Sequence, residues 1–579
     1  MSSAGTGIAR KLLRSGISSE CSIGILQFLR AAANLEPWAL RVLGGTLKVV
    51  VRDCVTSRAE AINTTQIYII AVLGTIAAAV IISTAIDCAS LKWKESKTGG
   101  YLLNFLTAFS LIKNTKFIFK INRNKNSETY DYGFAHGLRF LGIFWIVLGH
   151  SYGTVLLNSS RVFNALFLFE HWHAVIITFG FQAVDTFFFL SGFFIYFKLD
   201  KENGNRVIVA VIAAVRRFIR MTVPTFFMIM CIYILPLIAS GPNSKEFYNR
   251  FYAEIRAVWW DFLLLVRNWK EDDIIPILPH LWYLSTDFQL FLVSVIVIQA
   301  FKAKKALVVA LFGLLSFVFC VISAWQVYDA RIPPFMIALT QSYSLYLDQS
   351  NKYYKLPFYH GVCFFSGCIT FVFVQKYRHR RISKIFQAAC WCVALFCGLF
   401  CLFVRHAWYS RDGRAPEPTR MFYAFADRIL WSVCLAWFVF ACTTRKAEPL
   451  RRMLSWQGLL PLSRLSFGVY LLHSPIQMLS FHIARERTFF SHYTLVSASF
   501  AVLIWSYVLS YVMFIMCEGP TTNLETLLFT GPRRRQNEGK SAEAPASQAV
   551  QKKLQLSFDN AMACCETEDC CVAGKVCRL

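Results

Sequence analysis

The stretch Gly137-Leu138-Arg139-Phe140-Leu141-Gly142-Ile143-Phe144-Trp145-Ile146-Val147-Leu148-Gly149-His150 decides the fold. It is almost wholly apolar, yet it carries an arginine near one end and a histidine at the other. A helix of about 20 apolar residues crosses the ~30 Å hydrocarbon layer of a bilayer. Arg139 and His150 are separated by eleven positions, so on a helix they share a face, about 16 Å apart along the axis. Ionisable groups inside a membrane are costly and face a cavity or a partner, which makes both residues functional candidates.

Ten further stretches outward from this one have the same length and apolarity. The spans are expected near residues 67–86, 138–157, 174–197, 221–239, 281–300, 306–325, 358–374, 385–404, 422–442, 460–483 and 494–517. The chain therefore reads as all-α, a polytopic membrane bundle of about eleven transmembrane helices. Composition agrees. Of 579 residues 56% are hydrophobic and 16% charged, where a soluble chain carries about a quarter charged.

The 60 basic residues exceed the 34 acidic ones, for a net charge of +26. That excess sits in short loops, so topology explains it better than nucleic-acid binding. Basic clusters follow every odd-numbered span: Lys113 to Lys125 after the first, Arg206 to Arg220 after the third, and so on to Arg533, Arg534 and Arg535. The positive-inside rule then puts the N-terminus outside and the C-terminus in the cytosol. The sequons at Asn63 and Asn158 fall on the outer side in that arrangement. Plasma membrane and endoplasmic reticulum both suit it.

Most of the 19 cysteines lie in apolar runs, where Cys behaves as a small hydrophobe. No matched CxxC and His pattern exists, so no metal is expected. Cys21 and Cys54 form a candidate outer disulfide. Cys564, Cys565, Cys570 and Cys571 in the polar tail are free thiols or palmitoylation sites.

Other polar residues interrupt the spans. Asp185 needs a partner: it can orient His150, pair with an arginine of the following segment, or bridge two helices. Arg217 and Arg220 share a helical face. They serve either as a positive-inside anchor or as a fork for phosphate oxygens. Asp287 and Gln289 follow Trp282; His473 follows Tyr470, and Ser474-Pro475 just beyond it is expected to distort its helix. Glu518-Gly519-Pro520 closes the last span as a boundary feature. A lone intramembrane His is often a structural hydrogen-bond partner, but a neutral imidazole is also a natural general base.

Taken in order, five pieces resemble the acyltransferase 3 family, and its nose resistant to fluoxetine-like animal branch in particular. They are Gly137-Leu138-Arg139 through His150, Asp185-Thr186-Phe187-Phe188 through Ser191-Gly192-Phe193, Arg217-Phe218-Ile219-Arg220 with Pro224, Trp282 through Asp287-Phe288-Gln289, and Ser466 through Tyr470-Leu471-Leu472-His473. The resemblance implies one N-terminal helix plus a ten-helix core. It also implies transfer of an acyl group from cytosolic acyl-CoA to an acceptor on the far side, and no permanently bound cofactor. It maps the family's arginine and histidine onto Arg139 and His150 and its arginine-rich segment onto Arg217 and Arg220. The expected roles are donor binding on Arg139, Arg217 and Arg220, and general base on His150 oriented by Asp185. Ser191, Trp282, Asp287, Gln289, Tyr470 and His473 are expected to line the cavity.

The same branch carries a longer outer domain before its first span. Here 1–66 reads as a short remnant of it, 67–129 as the first helix and a basic loop, 130–520 as the core and 521–579 as a disordered tail. The expected function is that of a membrane O-acyltransferase acting on a hydroxyl acceptor of unknown identity. The alternative is uptake or transport of lipids or hydrophobic small molecules without catalysis.

Overall fold

The computed structural model describes residues 62–90, 100–120, 132–154, 160, 168, 171–336, 343–409 and 415–529. Cys21, Cys54, Asn158 and the tail cysteines lie outside them. Among the described residues the chain is helix and turn, with no β-strand.

In chain order the helices longer than one turn are α1 (Thr64–Ser90), α2 (Gly100–Leu106), α3 (Leu111–Phe119), α4 (Phe134–Thr154), α5 (Gly180–Lys201), α6 (Arg206–Ile234), α7 (Ser244–Leu263), α8 (Trp282–Ala300), α9 (Lys305–Ala330) and α10 (Tyr343–Gln349). They continue with α11 (Pro357–Tyr377), α12 (Lys384–Tyr409), α13 (Glu417–Thr443), α14 (Glu448–Leu454), α15 (Leu459–Ile483), α16 (His492–Met513) and α17 (Gly519–Phe529). Each of the expected spans falls on one of the long helices.

Nine helices are long and apolar enough to cross a membrane on length and composition, among the described residues. The two remaining long helices of the expected set are α4 and α15, of 21 and 25 residues. Both are diluted by polar side chains, Arg139 and His150 on one and Arg464 and His473 on the other. They pack against each other, and both pack on α16. The helices that fall short on apolarity are thus neighbours, and their polar groups face inward.

Burial orders the bundle. In α1 only 6% of the apolar window is buried, against 78% in α11, so α1 turns its side chains to lipid while α11 is core. Lipid tails are as apolar as leucine, so close packing rather than apolar burial joins helices here. Helices α5 and α11 show the device: a Cβ on Gly192 would overlap the carbonyl oxygen of Phe364, and one on Gly367 would overlap that of Phe189. Around this crossing Phe188, Phe189, Phe193, Phe364, Phe365 and Phe371 fill the main core.

Some expectations on extent are corrected. Helix α6 begins at Arg206, not at residue 221, so Arg217 and Arg220 lie well inside a helix rather than at its entrance. Helix α15 runs unbroken through Ser474-Pro475. The boundary set at 520 is crossed by α17, which continues to Phe529 and packs on α6 and α2. The tryptophan-rich segment between α6 and α8 folds as α7, on which the exposed Trp259 and Trp260 rings stack at 3.9 Å.

Candidate functional site

A cavity of about 1200 Å³ runs along α4 from Arg139 to Thr154. Residues three and four apart on a helix share a face, and α4 presents Arg139, Ile143, Ile146, His150 and Gly153 to it. The other walls come from α5, α6, α8, α15 and α17. Of the expected residues, Arg139, His150, Ser191, Arg217, Arg220, Trp282, Asp287 and Tyr470 line it.

Near one end His150 meets His473. Their ring planes are nearly parallel with centroids 5.0 Å apart, and they meet edge to edge, His150 Nδ1 lying 2.8 Å from His473 Nε2. The tautomers follow from the neighbours. His473 Nδ1 is 2.7 Å from the Tyr470 carbonyl oxygen and 3.1 Å from that of Val469, so this nitrogen carries the proton. His473 Nε2 is then an acceptor, His150 Nδ1 donates to it, and His150 Nε2 keeps its lone pair. Among the described residues that nitrogen has no hydrogen-bond partner. His473 itself is fully buried behind His150.

A third imidazole, which sequence reasoning did not select, completes the group. His280 stands edge-on to His473 at 5.3 Å, its Nε2 donates to the Leu471 carbonyl over 3.1 Å, and it lines the cavity. Tyr470 donates its hydroxyl to the His280 carbonyl, tying α15 to the start of α8. The signal for His280 in the sequence was its place at the mouth of a span, immediately before Leu281-Trp282.

Towards the other end of α4 the walls are basic. Arg139 lies with its guanidinium carbon 5.2 Å from the Phe194 ring and has no carboxylate partner among the described residues. Lys198, Arg216 and Arg220 line the same end. Arg217 differs from the expectation that it is available to a ligand. It is ion-paired with Asp287, donates to Ser191 Oγ over 2.6 Å and stacks on Phe291 at 4.5 Å. Arg217, Asp287 and Ser191 therefore pin α6, α8 and α5 together.

Asp185 and Gln289 are also placed elsewhere. Asp185 Oδ1 is 2.7 Å from His360 Nδ1, and Oδ2 is 2.9 Å from Arg428. Arg428 also pairs with Asp427 at 3.3 Å, and Asp427 with Arg405 at the same distance. With its amide oxygen turned to Arg405, Gln182 accepts from it over 2.7 and 2.8 Å. This fully buried network joins α5, α11, α12 and α13 and holds Asp185 away from His150. Gln289 binds Asn268, Trp269 and the Leu265 carbonyl, fastening the segment between α7 and α8 rather than lining the cavity. His360, Arg405, Asp427 and Arg428 were missed from the sequence, although their position within or beside spans was the available signal.

The family model described as an acyltransferase domain (acyltransferase 3) matches residues 132–514. The chain is 26% identical over 470 residues to nose resistant to fluoxetine protein 6 of Caenorhabditis elegans, an alignment covering 75% of this chain and 56% of that protein. The chain thus spans little more than half the length of that relative. No solved structure matches the chain. The matched segment carries His150, His473, His280 and the arginine end of the cavity, and this chain belongs to the acyltransferase 3 family.

Proposed function

We propose that this protein is a membrane O-acyltransferase that binds acyl-CoA at the arginine end of the cavity and delivers the acyl group to a hydroxyl at His150. One observation carries the reading: a His whose Nε2 lone pair faces a cavity that also holds guanidinium groups suited to phosphate oxygens. Arg139, Arg220 and Lys198 receive the donor's phosphates. Arg217, held by Asp287, shapes the site next to them. The separation of Arg139 and His150 along α4 suits a donor whose anionic end and thioester are held apart by a long arm.

In the transfer step His150 Nε2 takes the proton of the acceptor hydroxyl as its oxygen attacks the thioester carbonyl. The new carbon–oxygen bond forms, the carbon–sulfur bond breaks, and the proton passes from the imidazolium to the departing sulfur. Ester and free CoA thiol result. His473, accepting from Nδ1, keeps the ring in the required tautomer and stabilises the transient cation.

The loop charges support an outer N-terminus and a cytosolic C-terminus, which puts the arginine end on the cytosolic side and the acceptor on the lumenal or extracellular side, in plasma membrane or endoplasmic reticulum. Passage of a lipid or other apolar molecule without chemistry is a second reading, favoured by the length of the same cavity. The test of the donor site is CoA binding by purified protein in nanodiscs. Arg139→Ala and Arg220→Ala are each expected to weaken it by about tenfold, and full affinity in both variants sinks the donor assignment.

A further inference from the structure

The Glu518-Gly519-Pro520 segment does more than end a span. Helix α16 runs into a wide π-helical turn, Phe514–Glu518, and α17 follows directly. From this corner Glu518, Thr521, Thr522, Glu525 and Phe529 line the cavity that Arg216 and Arg220 also line. The spacing of three and four puts them on one helical face. The Phe529 ring lies 5.2 Å from the Arg216 guanidinium carbon. Asn523 holds the helix in place by donating to the Ala108 carbonyl and to Asn114 Oδ1, each over 2.8 Å. Glu518 is only 8% exposed, yet its Oε1 has no hydrogen-bond partner, and neither has Oε1 of Glu525, among the described residues. Helix α17 lies beyond the segment that the family model matches.

A buried carboxylate without a hydrogen-bond donor is costly, and the cations that share its cavity are the groups able to offset that cost. We propose that Glu518 and Glu525 are the resident counter-ions of Arg216 and Arg220, holding the arginine mouth until a phosphorylated ligand displaces them and thereby setting its affinity for anions. The proposal rests on the reading of this mouth as the donor site. Helix α17 then limits how tightly a highly charged donor or its product is held, which favours release of free CoA after transfer.

The test is equilibrium binding of free CoA to the full chain in nanodiscs, for wild type, Glu518→Gln, Glu525→Gln and the double variant. Glu448→Gln is the control: it removes an equal charge at a surface site paired with Arg451 and Arg452. The double variant is expected to bind CoA about tenfold more tightly, each single variant less so, and the control like wild type. Unchanged or weaker binding in all three site variants overturns the proposal, as does an equal gain in the control. Should no form bind CoA, the donor reading fails, and inorganic pyrophosphate separates the two ideas. Tighter pyrophosphate binding in the double variant keeps the counter-ion role, and unchanged binding removes it.

Discussion

His150 and His473 meet edge to edge in nearly parallel planes, with Nδ1 of the first 2.8 Å from Nε2 of the second. Since His473 Nδ1 is committed to backbone carbonyls of its own helix, the pair has a direction: the proton on His150 sits on Nδ1 and the lone pair on Nε2. A general base needs that tautomer. His473→Phe removes the acceptor while keeping a ring. Turnover is expected to fall by about 10- to 100-fold, as for other orienting partners, with donor affinity unchanged. His473→Gln, whose amide oxygen can accept from Nδ1, should recover part of the loss. Equal activity in both variants and wild type would show that the tautomer does not matter.

Arg217 and Asp287 form an ion pair in which the carboxylate is almost fully buried and the guanidinium is 24% exposed. Removing one partner leaves the other charge uncompensated. Asp287→Ala is expected to cost about 3 kcal/mol of stability, read as a lowered thermal midpoint in detergent. Arg139→Ala and Arg220→Ala should leave the midpoint near wild type. An unchanged midpoint in Asp287→Ala would mean that the pair is not formed in the membrane.

The Asp185 network divides structure from chemistry. Arg428→Met leaves Asp185 and Asp427 without their shared cation and is expected to destabilise by about 3–5 kcal/mol. Asp185→Asn should lower the thermal midpoint but leave turnover per folded molecule within about threefold of wild type. A hundredfold loss of turnover in folded Asp185→Asn would return this carboxylate to a catalytic role.

Gly192 and Gly367 sit where α5 and α11 touch through their backbones. Backbone cannot rotate aside as a side chain can, so Gly192→Ala should cost about 1–3 kcal/mol or more. Gly153, on the cavity face of α4, meets nothing within 4 Å of an added Cβ. Gly153→Ala should leave the thermal midpoint unchanged. The two midpoints, measured side by side, check the helix packing independently of any ligand.

The helices were legible because each carries its own apolar run, and the cost of intramembrane charge singles out Arg139, His150 and His473 in the sequence alone. What one chain segment cannot reveal is which polar group on another helix it meets. Asp185 is a fair partner for His150 by chemistry. It goes instead to His360 and Arg428, because the Gly192–Gly367 crossing turns that face of α5 towards α11 and α13. Arg217 reads as free for the same reason: its partner Asp287 lies 70 positions away. Helix α17 is hidden by its polarity, since Glu518, Thr521, Thr522 and Glu525 resemble a solvated tail until the cavity they face is known.

The most direct measurement is acyl-CoA turnover by purified wild type and His150→Ala in nanodiscs, with CoA affinity determined on the same preparations. The account predicts that His150→Ala binds CoA within about twofold of wild type and loses turnover by about 100-fold or more. A His150→Ala protein that turns over like wild type contradicts it. So does a folded wild type that consumes no acyl-CoA while moving lipid across the bilayer as well as His150→Ala does, and that result would make the cavity a carrier's path.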